Sequence, residues 1–336
     1  AGDALPTLRF VACGRPLPGY EIRVVDGAGA ELPERREGRL QFRGPSATAG
    51  YYRNPEATRR LLAEHRPELV ILGKSMVLHR EPVRELRAAI DDLELDTVLL
   101  YDMAHVLGLV GPHFQEPFRE GADIVTGSTH KTFFGTQRGI AAVRFTREED
   151  RFELWEAIQR RTFPGSVSNH HLGTLLGLLM AAYEMNHFKD EYPPRVVANA
   201  KAFAAAMKAS GLDVAGDPAI SYTETHQVIV KVGYGRGAEI ARRLEENNII
   251  LNYQAAPDEE GLTAAGALRM GVQEMTRFGM GPEGFAELAQ LMADCILRDQ
   301  PVQEKVSQLR RRFLDMRYCF EGGDMDTLIR QLHQAI

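Results

Sequence analysis

Lys131 has the setting of a lysine that does covalent chemistry. The apolar pair 124–125 is followed by small hydroxyl residues and then by His130 and Lys131. We expect a buried strand here that delivers one lysine into a polar pocket, which is how a fold presents a lysine for Schiff-base formation. A single lysine is more often a solvated surface charge. The neighbouring motifs must decide between these two interpretations.

A second polar cluster follows the apolar run 97–101. Asp102 comes directly after this run and His105 three residues later. Because the carboxyl ends of parallel strands supply polar groups to a crevice, we expect Asp102 to lie near Lys131. Taken alone, Asp102 fits a helix N-cap better. A carboxylate and a lysine on neighbouring strand ends suit pyridoxal 5′-phosphate, since the lysine forms the Schiff base and the carboxylate keeps the pyridine nitrogen protonated.

Four motifs follow one another along the chain: YDMAHVLGLV (101–110), STHKT (128–132), TFPG (162–165) and LRMGVQEMTRFG (268–279). Together they resemble serine hydroxymethyltransferases, from about residue 63 to the C-terminus. The resemblance implies an α/β fold, that of the fold-type I, aspartate aminotransferase-like pyridoxal-phosphate transferases. It also implies one-carbon transfer between serine or glycine and a tetrahydrofolate-type carrier, with cleavage or formation of the Cα–Cβ bond.

The resemblance assigns a role to each residue that matches a family motif. It makes Lys131 the Schiff-base lysine, Asp102 the partner of the pyridinium nitrogen, and His105 the histidine beside the phenolic oxygen. Arg269 matches the arginine that grips the substrate carboxylate through two hydrogen bonds. The resemblance also matches Ser75 to a serine that contacts the ring, and Ser128, Thr129 and His130 to residues beside the lysine. Arg138 matches a second pocket arginine, in a turn that has one more residue than in the family.

Taken one at a time, these residues also allow purely structural interpretations. Ser75 could cap a helix that begins near Pro82. Arg269 could belong to a surface ion pair of small energetic weight. The joint pattern of Asp102, Lys131 and Arg269 favours the cofactor site over these alternatives.

The front of the chain has a different pattern. A proline-glycine turn at 14–19 leads into a strand at 20–26, and a hairpin precedes a second strand at 38–45. This pattern resembles the small β-rich subdomain of acyl-CoA synthetases and other adenylate-forming, AMP-binding ligases. The phosphate-binding loop and the Thr-Gly-Asp motif of that superfamily are missing, so we do not expect adenylation.

We therefore expect three segments: a ligase-like fragment (1–62), a pyridoxal-phosphate-binding large domain without its N-terminal part (63–210) and a small α/β domain (211–336). No glycine- or serine-rich linker separates the first two, which indicates a gene fusion, a fragment or a mis-assembled reading frame. The family places its phosphate-clamping segment before the large-domain strand at 69–72. We therefore expect weak cofactor binding and little turnover from the chain as written.

The coarse pattern of the chain predicts how these groups are positioned. Alternating strands and helices over 67–145 predict a parallel sheet. A helical stretch over 169–210 is interrupted at Pro193-Pro194. Beyond it, we expect strands at 227–232 and 249–253, a helix at 237–247 and C-terminal helices.

Composition restricts the partners of the chain. The formal net charge of −6 argues against nucleic-acid binding, and no apolar run is long enough for a membrane span. We expect a cytoplasmic protein, because there is no secretory signal and the cysteines are dispersed, without metal-ligand spacing: Cys13, Cys295 and Cys319. The expected partners are a small amino acid and further copies of the chain, in a homodimer or larger homo-oligomer.

Two other functions compete with one-carbon transfer. A threonine aldolase or transaldolase on the same scaffold would use Lys131, Asp102 and Arg269 without folate. A non-catalytic fusion or pseudo-enzyme could instead act as a dimerising partner for a complete homologue.

Overall fold

The computed structural model describes residues 21–26, 30–33, 36, 38–43, 55–148, 151–169, 171–257 and 265–321, with 327, 330, 331, 333 and 334. Its strands are β1 (Glu21–Val25), β2 (Arg39–Arg43), β3 (Leu69–Leu72), β4 (Val98–Asp102), β5 (Ile124–His130), β6 (Phe134–Val143), β7 (Asp213–Val214), β8 (Gln227–Lys231), β9 (Asn252–Gln254) and β10 (Ala267–Gly271). Its helices are α1 (Pro55–His65), α2 (Val83–Asp92), α3 (Pro117–Glu120), α4 (Phe152–Arg160), α5 (Leu172–His187), α6 (Tyr192–Ala209), α7 (Gly237–Glu246), α8 (Gln273–Arg277), α9 (Pro282–Arg298) and α10 (Gln303–Arg311).

The first sheet has the strand order β3-β4-β5-β6. The first three strands are parallel, which confirms that part of the prediction, whereas β6 runs antiparallel to β5. The predicted parallel sheet is therefore wrong for β6. Only residues 131–133 connect it to β5, and a parallel crossover needs a dozen residues or more.

The parallel strands are apolar because helices and loops cover them. Val70 of β3 and Leu99 of β4 are fully buried. Val83, Leu86 and Ile90 of α2 are also buried, and their spacing of three and four residues forms one apolar stripe. The strand ends that carry polar residues are therefore held by a packed layer.

The second sheet is antiparallel, with the order β7-β8-β10-β9. The predicted strand at 227–232 and helix at 237–247 are confirmed as β8 and α7. The strand predicted at 249–253 begins three residues later, as β9. Pro193 and Pro194 do not interrupt a helix, because α5 ends before them and they lie in the first turn of α6, where proline is tolerated.

The front of the chain is described only in part. β1 and β2 pair antiparallel, which confirms the predicted hairpin; residues 14–20 and 44–54 of the predicted fragment, and Cys13, lie outside the described residues. α1 runs across the predicted boundary at residue 62, and Leu62 is buried in the core that includes the first sheet. The three domain boundaries stay predictions.

Helix α5 carries an exposed apolar surface. Its exposed large apolar side chains, each between 43% and 69% accessible, are Leu172, Leu175, Leu176, Leu179, Met180 and Tyr183. A helix of this character is normally buried against another element. In the part of the chain that the structure describes, no helix has the length and apolar character needed to cross a membrane.

Candidate active site

The carboxyl ends of the three parallel strands meet at one edge of the first sheet. A Cβ atom added to Gly73, just after β3, would lie 2.2 Å from the carbonyl oxygen of Asp102 at the end of β4. Gly73 also has a φ of +113°, which favours glycine. The predicted convergence of the strand ends is therefore present.

Lys131 and His105 are in contact at this edge. The Lys131 Nζ lies 3.5 Å from the His105 Nε2. The buried Thr132 fixes both segments, since its hydroxyl donates to the His105 carbonyl at 3.0 Å and accepts the Gly108 N–H at 3.0 Å. A predicted histidine and a predicted lysine, 26 residues apart in sequence, thus share one site.

Arg269 reaches the site from β10 of the second sheet. Its Nη1 donates to the Ser75 carbonyl at 3.2 Å and to the Ser75 hydroxyl at 2.5 Å. Helix α2 is preceded by Pro82 and has no side-chain cap, so Ser75 does not cap it. Arg269 forms no ion pair with any residue in the described part of the chain. Neither structural alternative applies to this pair.

Asp102 is exposed at the end of β4. Its Oδ1 accepts the Ala104 N–H at 3.0 Å, as an aspartate does when it shapes a turn. No helix begins directly after Asp102, so the helix N-cap interpretation is wrong. Among the described residues Asp102 has no ion-pair partner, so its carboxylate is available to a ligand.

Two further residues in the site carried no motif that would reveal them. Gln227, at the start of β8, approaches the His105 Nδ1 with its Nε2 at 3.2 Å. His226 stacks on His105 with ring centroids 6.4 Å apart and an interplanar angle of 14°. The polar run that precedes the apolar residues 228–230 was the available signal, since a buried strand that begins with polar side chains must satisfy them.

The electrostatics of the site keep both histidines neutral. Burial, with the charges of Lys131 and Arg269, lowers the pKa of His105 to about 4, although Asp102 acts in the opposite direction. Burial, with the same two cations and His105, lowers the pKa of His226 to about 3. Burial also lowers the pKa of Arg269. The site is a cationic region suited to an anionic ligand.

The donor set fits pyridoxal phosphate carrying an amino acid. Lys131 supplies an amine that forms no ion pair with any described residue, and Asp102 supplies a carboxylate. Arg269 supplies a planar guanidinium of the kind that binds carboxylates with two hydrogen bonds. These three groups suit the amine linkage of the cofactor, its ring nitrogen and the carboxylate of its substrate.

The remaining predicted residues lie along β5 and β6. Ser128 and His130 alternate with the buried Thr129, whose hydroxyl donates to the carbonyls of Thr136 and Arg138 at 2.6 and 3.0 Å. Thr129 therefore braces the hairpin between the two strands. The predicted cofactor roles of Ser128, Thr129 and His130 stay predictions.

Arg138 points to the start of α5. Its Nε donates to the Thr174 hydroxyl at 3.1 Å, and its Nη2 donates to the His171 carbonyl. The structure shows no contact between Arg138 and Lys131 or Arg269. Its predicted role as a second substrate arginine stays a prediction.

Comparison with known proteins accounts for this arrangement. Residues 50–292 match the family model of serine hydroxymethyltransferase. The chain belongs to the serine hydroxymethyltransferase family. Its architecture is that of a fold-type I pyridoxal-phosphate transferase, as the sequence predicted.

Individual relatives support the same family. The serine hydroxymethyltransferase of Archaeoglobus fulgidus is 44% identical over 276 residues, which cover 80% of this chain and 61% of that protein. That of Staphylothermus marinus is 36% identical over 319 residues, 91% of this chain and 71% of that protein. The chain thus spans about three fifths of the length of the first of these relatives.

One solved structure has a related fold. It is the crystal structure of L-threonine transaldolase from Pseudomonas fluorescens in its internal aldimine state, with a TM-score of 0.74 and 28% sequence identity. The match covers 84% of this chain and 63% of that chain. The family fold therefore extends through both sheets described above.

Proposed function

We propose that the chain works as a pyridoxal-phosphate-dependent glycine/serine hydroxymethyltransferase, with a tetrahydrofolate-type carrier as co-substrate. The observation that carries the proposal is the contact between Lys131 and His105 at the strand edge that also holds Asp102 and receives Arg269. An amine, a carboxylate and a carboxylate-binding guanidinium are brought together from strands that are far apart in sequence. Membership of the family supports this reaction.

Each residue has a role that its chemistry allows. When bound, pyridoxal phosphate supplies an electron sink for cleavage at the amino-acid α-carbon. Lys131 would hold the cofactor covalently, and Asp102 would hold a proton at the pyridine nitrogen. Arg269 would bind the substrate carboxylate and so fix which bond of the α-carbon is cleaved. His105 would lie beside the phenolic oxygen of the cofactor.

Covalent trapping tests the cofactor role directly. The purified chain is titrated with pyridoxal phosphate, reduced with borohydride and digested for mass mapping. In the wild-type protein we expect a pyridoxal adduct on Lys131. In the Lys131→Ala variant we expect no adduct on a neighbouring lysine such as Lys74. The titration also tests the expectation of weak cofactor binding. An adduct spread over many lysines would overturn the assignment of Lys131.

Turnover tests the reaction. Tetrahydrofolate-dependent cleavage of serine, lost in Lys131→Ala, would support the hydroxymethyltransferase. An adduct on Lys131 without turnover would support the non-catalytic alternative. Co-expression with an intact homologue then decides whether the chain forms a heterodimer with it, which that alternative requires.

A threonine aldolase or transaldolase activity is the second candidate. The similarity to the Pseudomonas fluorescens transaldolase fold favours it. Both activities use an amino-acid substrate and the same Lys131, Asp102 and Arg269. Cleavage of β-hydroxy amino acids without folate would support this candidate, and strict dependence on folate would eliminate it.

We also propose that the protein is cytoplasmic and forms a homodimer or larger homo-oligomer, as expected for the family. The exposed apolar face of α5 supports self-association. In sedimentation velocity, we expect Leu176→Asp to shift the wild-type oligomer toward monomer. The control is Leu297→Asp, which changes an exposed leucine on α9. A monomeric wild-type protein would overturn the proposal.

Residues 1–62 are proposed to derive from an adenylate-forming ligase, fused to the large domain (63–210) and small domain (211–336). The antiparallel pair β1 and β2 supports this origin. Deletion of residues 1–54 keeps α1 and should leave the melting temperature of the remainder unchanged. A large drop in melting temperature would show instead that the segment is part of the same domain. We expect no pyrophosphate exchange from ATP in either protein.

A further inference from the structure

Gln227 is a buried amide at the junction of the two sheets, with only 2% of its surface exposed. Its Oε1 accepts the Val77 N–H at 2.9 Å. Its Nε2 donates to the Ser75 carbonyl at 3.0 Å and lies 3.2 Å from the His105 Nδ1. All three polar neighbours of this side chain are therefore identified.

The neighbours of Gln227 allow a single orientation of its amide. A flipped amide would place its NH₂ group against the Val77 N–H, so that two donors would face each other. It would also place its oxygen against the Ser75 carbonyl, so that two acceptors would face each other. Both contacts are buried or partly buried, where an unsatisfied polar group is costly.

This orientation determines the proton on His105. An amide nitrogen has two hydrogens and no available lone pair. One hydrogen of the Gln227 Nε2 points to Ser75, so the second points to the His105 Nδ1, which must accept it. A neutral imidazole whose Nδ1 accepts a hydrogen bond carries its proton on Nε2.

The surroundings of His105 keep its ring in the neutral form. Burial and the cations Lys131 and Arg269 lower its pKa to about 4, against the smaller opposing effect of Asp102. His226, stacked on the ring, is neutral as well, because its own pKa is lowered to about 3. These are the charged and titratable groups that act on His105.

We propose that Gln227 is a positioning residue that fixes His105 in the Nε2–H tautomer, because its buried amide is itself held by Val77 and Ser75. The Nε2 atom lies 3.5 Å from the Lys131 Nζ. The charged Lys131 ammonium can only donate, so it makes no hydrogen bond with this N–H and favours the opposite tautomer. Its half-buried side chain can turn away, whereas the buried Gln227 amide cannot. The inference rests on the proposed function in one respect only, which is the group that the His105 Nε2–H contacts when cofactor is bound.

The tautomer can be measured on the full chain without cofactor. Long-range ¹H–¹⁵N correlation spectra of histidine-labelled protein at neutral pH distinguish protonated from unprotonated ring nitrogens. The His105 signals are those that disappear in His105→Phe. We expect the Nε2–H form to be about tenfold in excess, the ratio that one buried hydrogen bond supports. An excess of the Nδ1–H form in the wild-type protein would overturn the inference without any Gln227 variant.

Two variants test the cause of the preference. Gln227→Met keeps the length of the side chain and removes its amide, and we expect the excess of the Nε2–H form to fall severalfold. Gln227→Glu keeps the oxygen that accepts the Val77 N–H and places a second acceptor opposite Nδ1. We expect it to reverse the preference to Nδ1–H. An unchanged tautomer ratio in a folded Gln227→Met protein would overturn the inference.

Gln115 offers a matched control. It too is a buried amide that accepts a backbone N–H, from Glu81, and donates to the Glu81 carbonyl, but it does not touch His105. Gln115→Met should leave the tautomer ratio unchanged, and an equal shift would show that general loosening is the cause. Because the spectra need neither cofactor nor substrate, the two proposals can fail separately. A wrong tautomer would not contradict the proposed function, and a lack of catalytic activity would not affect the tautomer measurement.

Discussion

Arg269 donates to both oxygens of Ser75, the carbonyl at 3.2 Å and the hydroxyl at 2.5 Å. This contact ties β10 of the second sheet to the loop after β3 of the first. One side of the guanidinium is thereby held, and its other N–H groups are left to bind a carboxylate. The second sheet thus contributes a group that the parallel strands lack.

We predict that Arg269→Lys weakens glycine binding by about tenfold or more, because a charge-assisted, two-pronged hydrogen bond is replaced by a point charge. The measurement is a glycine titration of the cofactor-loaded protein, followed by absorbance. Arg298→Lys, at the exposed end of α9, is the control and should bind glycine normally. Equal affinities in the two variants would remove Arg269 from the substrate site.

Gly73 gives a prediction about how the site is built. Gly73→Ala should lower the free energy of unfolding by about 3 kcal/mol or more, because the new Cβ would meet the Asp102 carbonyl at 2.2 Å on a strained backbone. Gly211 also has a positive φ, but its added Cβ would have its nearest contact at 3.5 Å. Gly211→Ala should cost only the strain, about 1–2 kcal/mol. Urea unfolding of both variants measures the difference.

Asp123 gives a prediction about the framework below the site. This fully buried carboxylate accepts the Leu99 N–H at 2.8 Å and pairs with Arg87, Arg144 and Arg151. Asp123→Asn should destabilise the fold by about 3 kcal/mol, because the buried carboxylate shared by three guanidinium groups is removed, although Arg87 and Arg151 keep Asp91 and Asp96 as partners. Asp213→Asn is the control.

The control variant removes an exposed pair with Lys208 at 3.9 Å and should cost less than about 1 kcal/mol. Urea unfolding at neutral pH checks both values. A loss in Asp123→Asn no larger than that of the control would show that the arginine cluster has no net role in stability.

The positions of the residues at the strand ends could be predicted from the sequence. Lys131, Asp102 and His105 follow apolar runs, and the convergence of parallel strands places such residues together. Arg269 came from the family motif, because a single arginine in an antiparallel strand carries no local signal. The antiparallel direction of β6 was missed because it depends on the short turn at residues 131–133 and not on an apolar pattern.

The contacts of Gln227 could not be predicted from the sequence for a different reason. Its partners Ser75 and His105 are 152 and 122 residues away. They meet it only because the second sheet packs against the edge of the first. Long-range hydrogen bonds between two elements depend on their packing, which neither composition nor periodicity specifies.

His226 gives a prediction about acid stability. Its pKa is about 3 in the fold, against a usual value of 6.5, so below pH 6.5 the unfolded chain binds a proton that the folded chain does not. The stability is therefore complete above pH 6.5 and is lost as the pH falls toward 3. Between pH 7 and pH 5 this group accounts for about 2 kcal/mol at most. His105 acts in the same direction, down to about pH 4.

The melting temperature of His226→Leu should therefore fall less between pH 7 and pH 5 than that of the wild-type protein. The reason is that residue 226 no longer binds a proton in the unfolded chain. Calorimetry at the two pH values gives the comparison. His65→Gln removes an exposed histidine at the end of α1, and it should keep the wild-type loss. If His226→Leu and His65→Gln lose the same amount, acid unfolding begins at other groups, and the stacked pair of His105 and His226 does not set the acid limit of the fold.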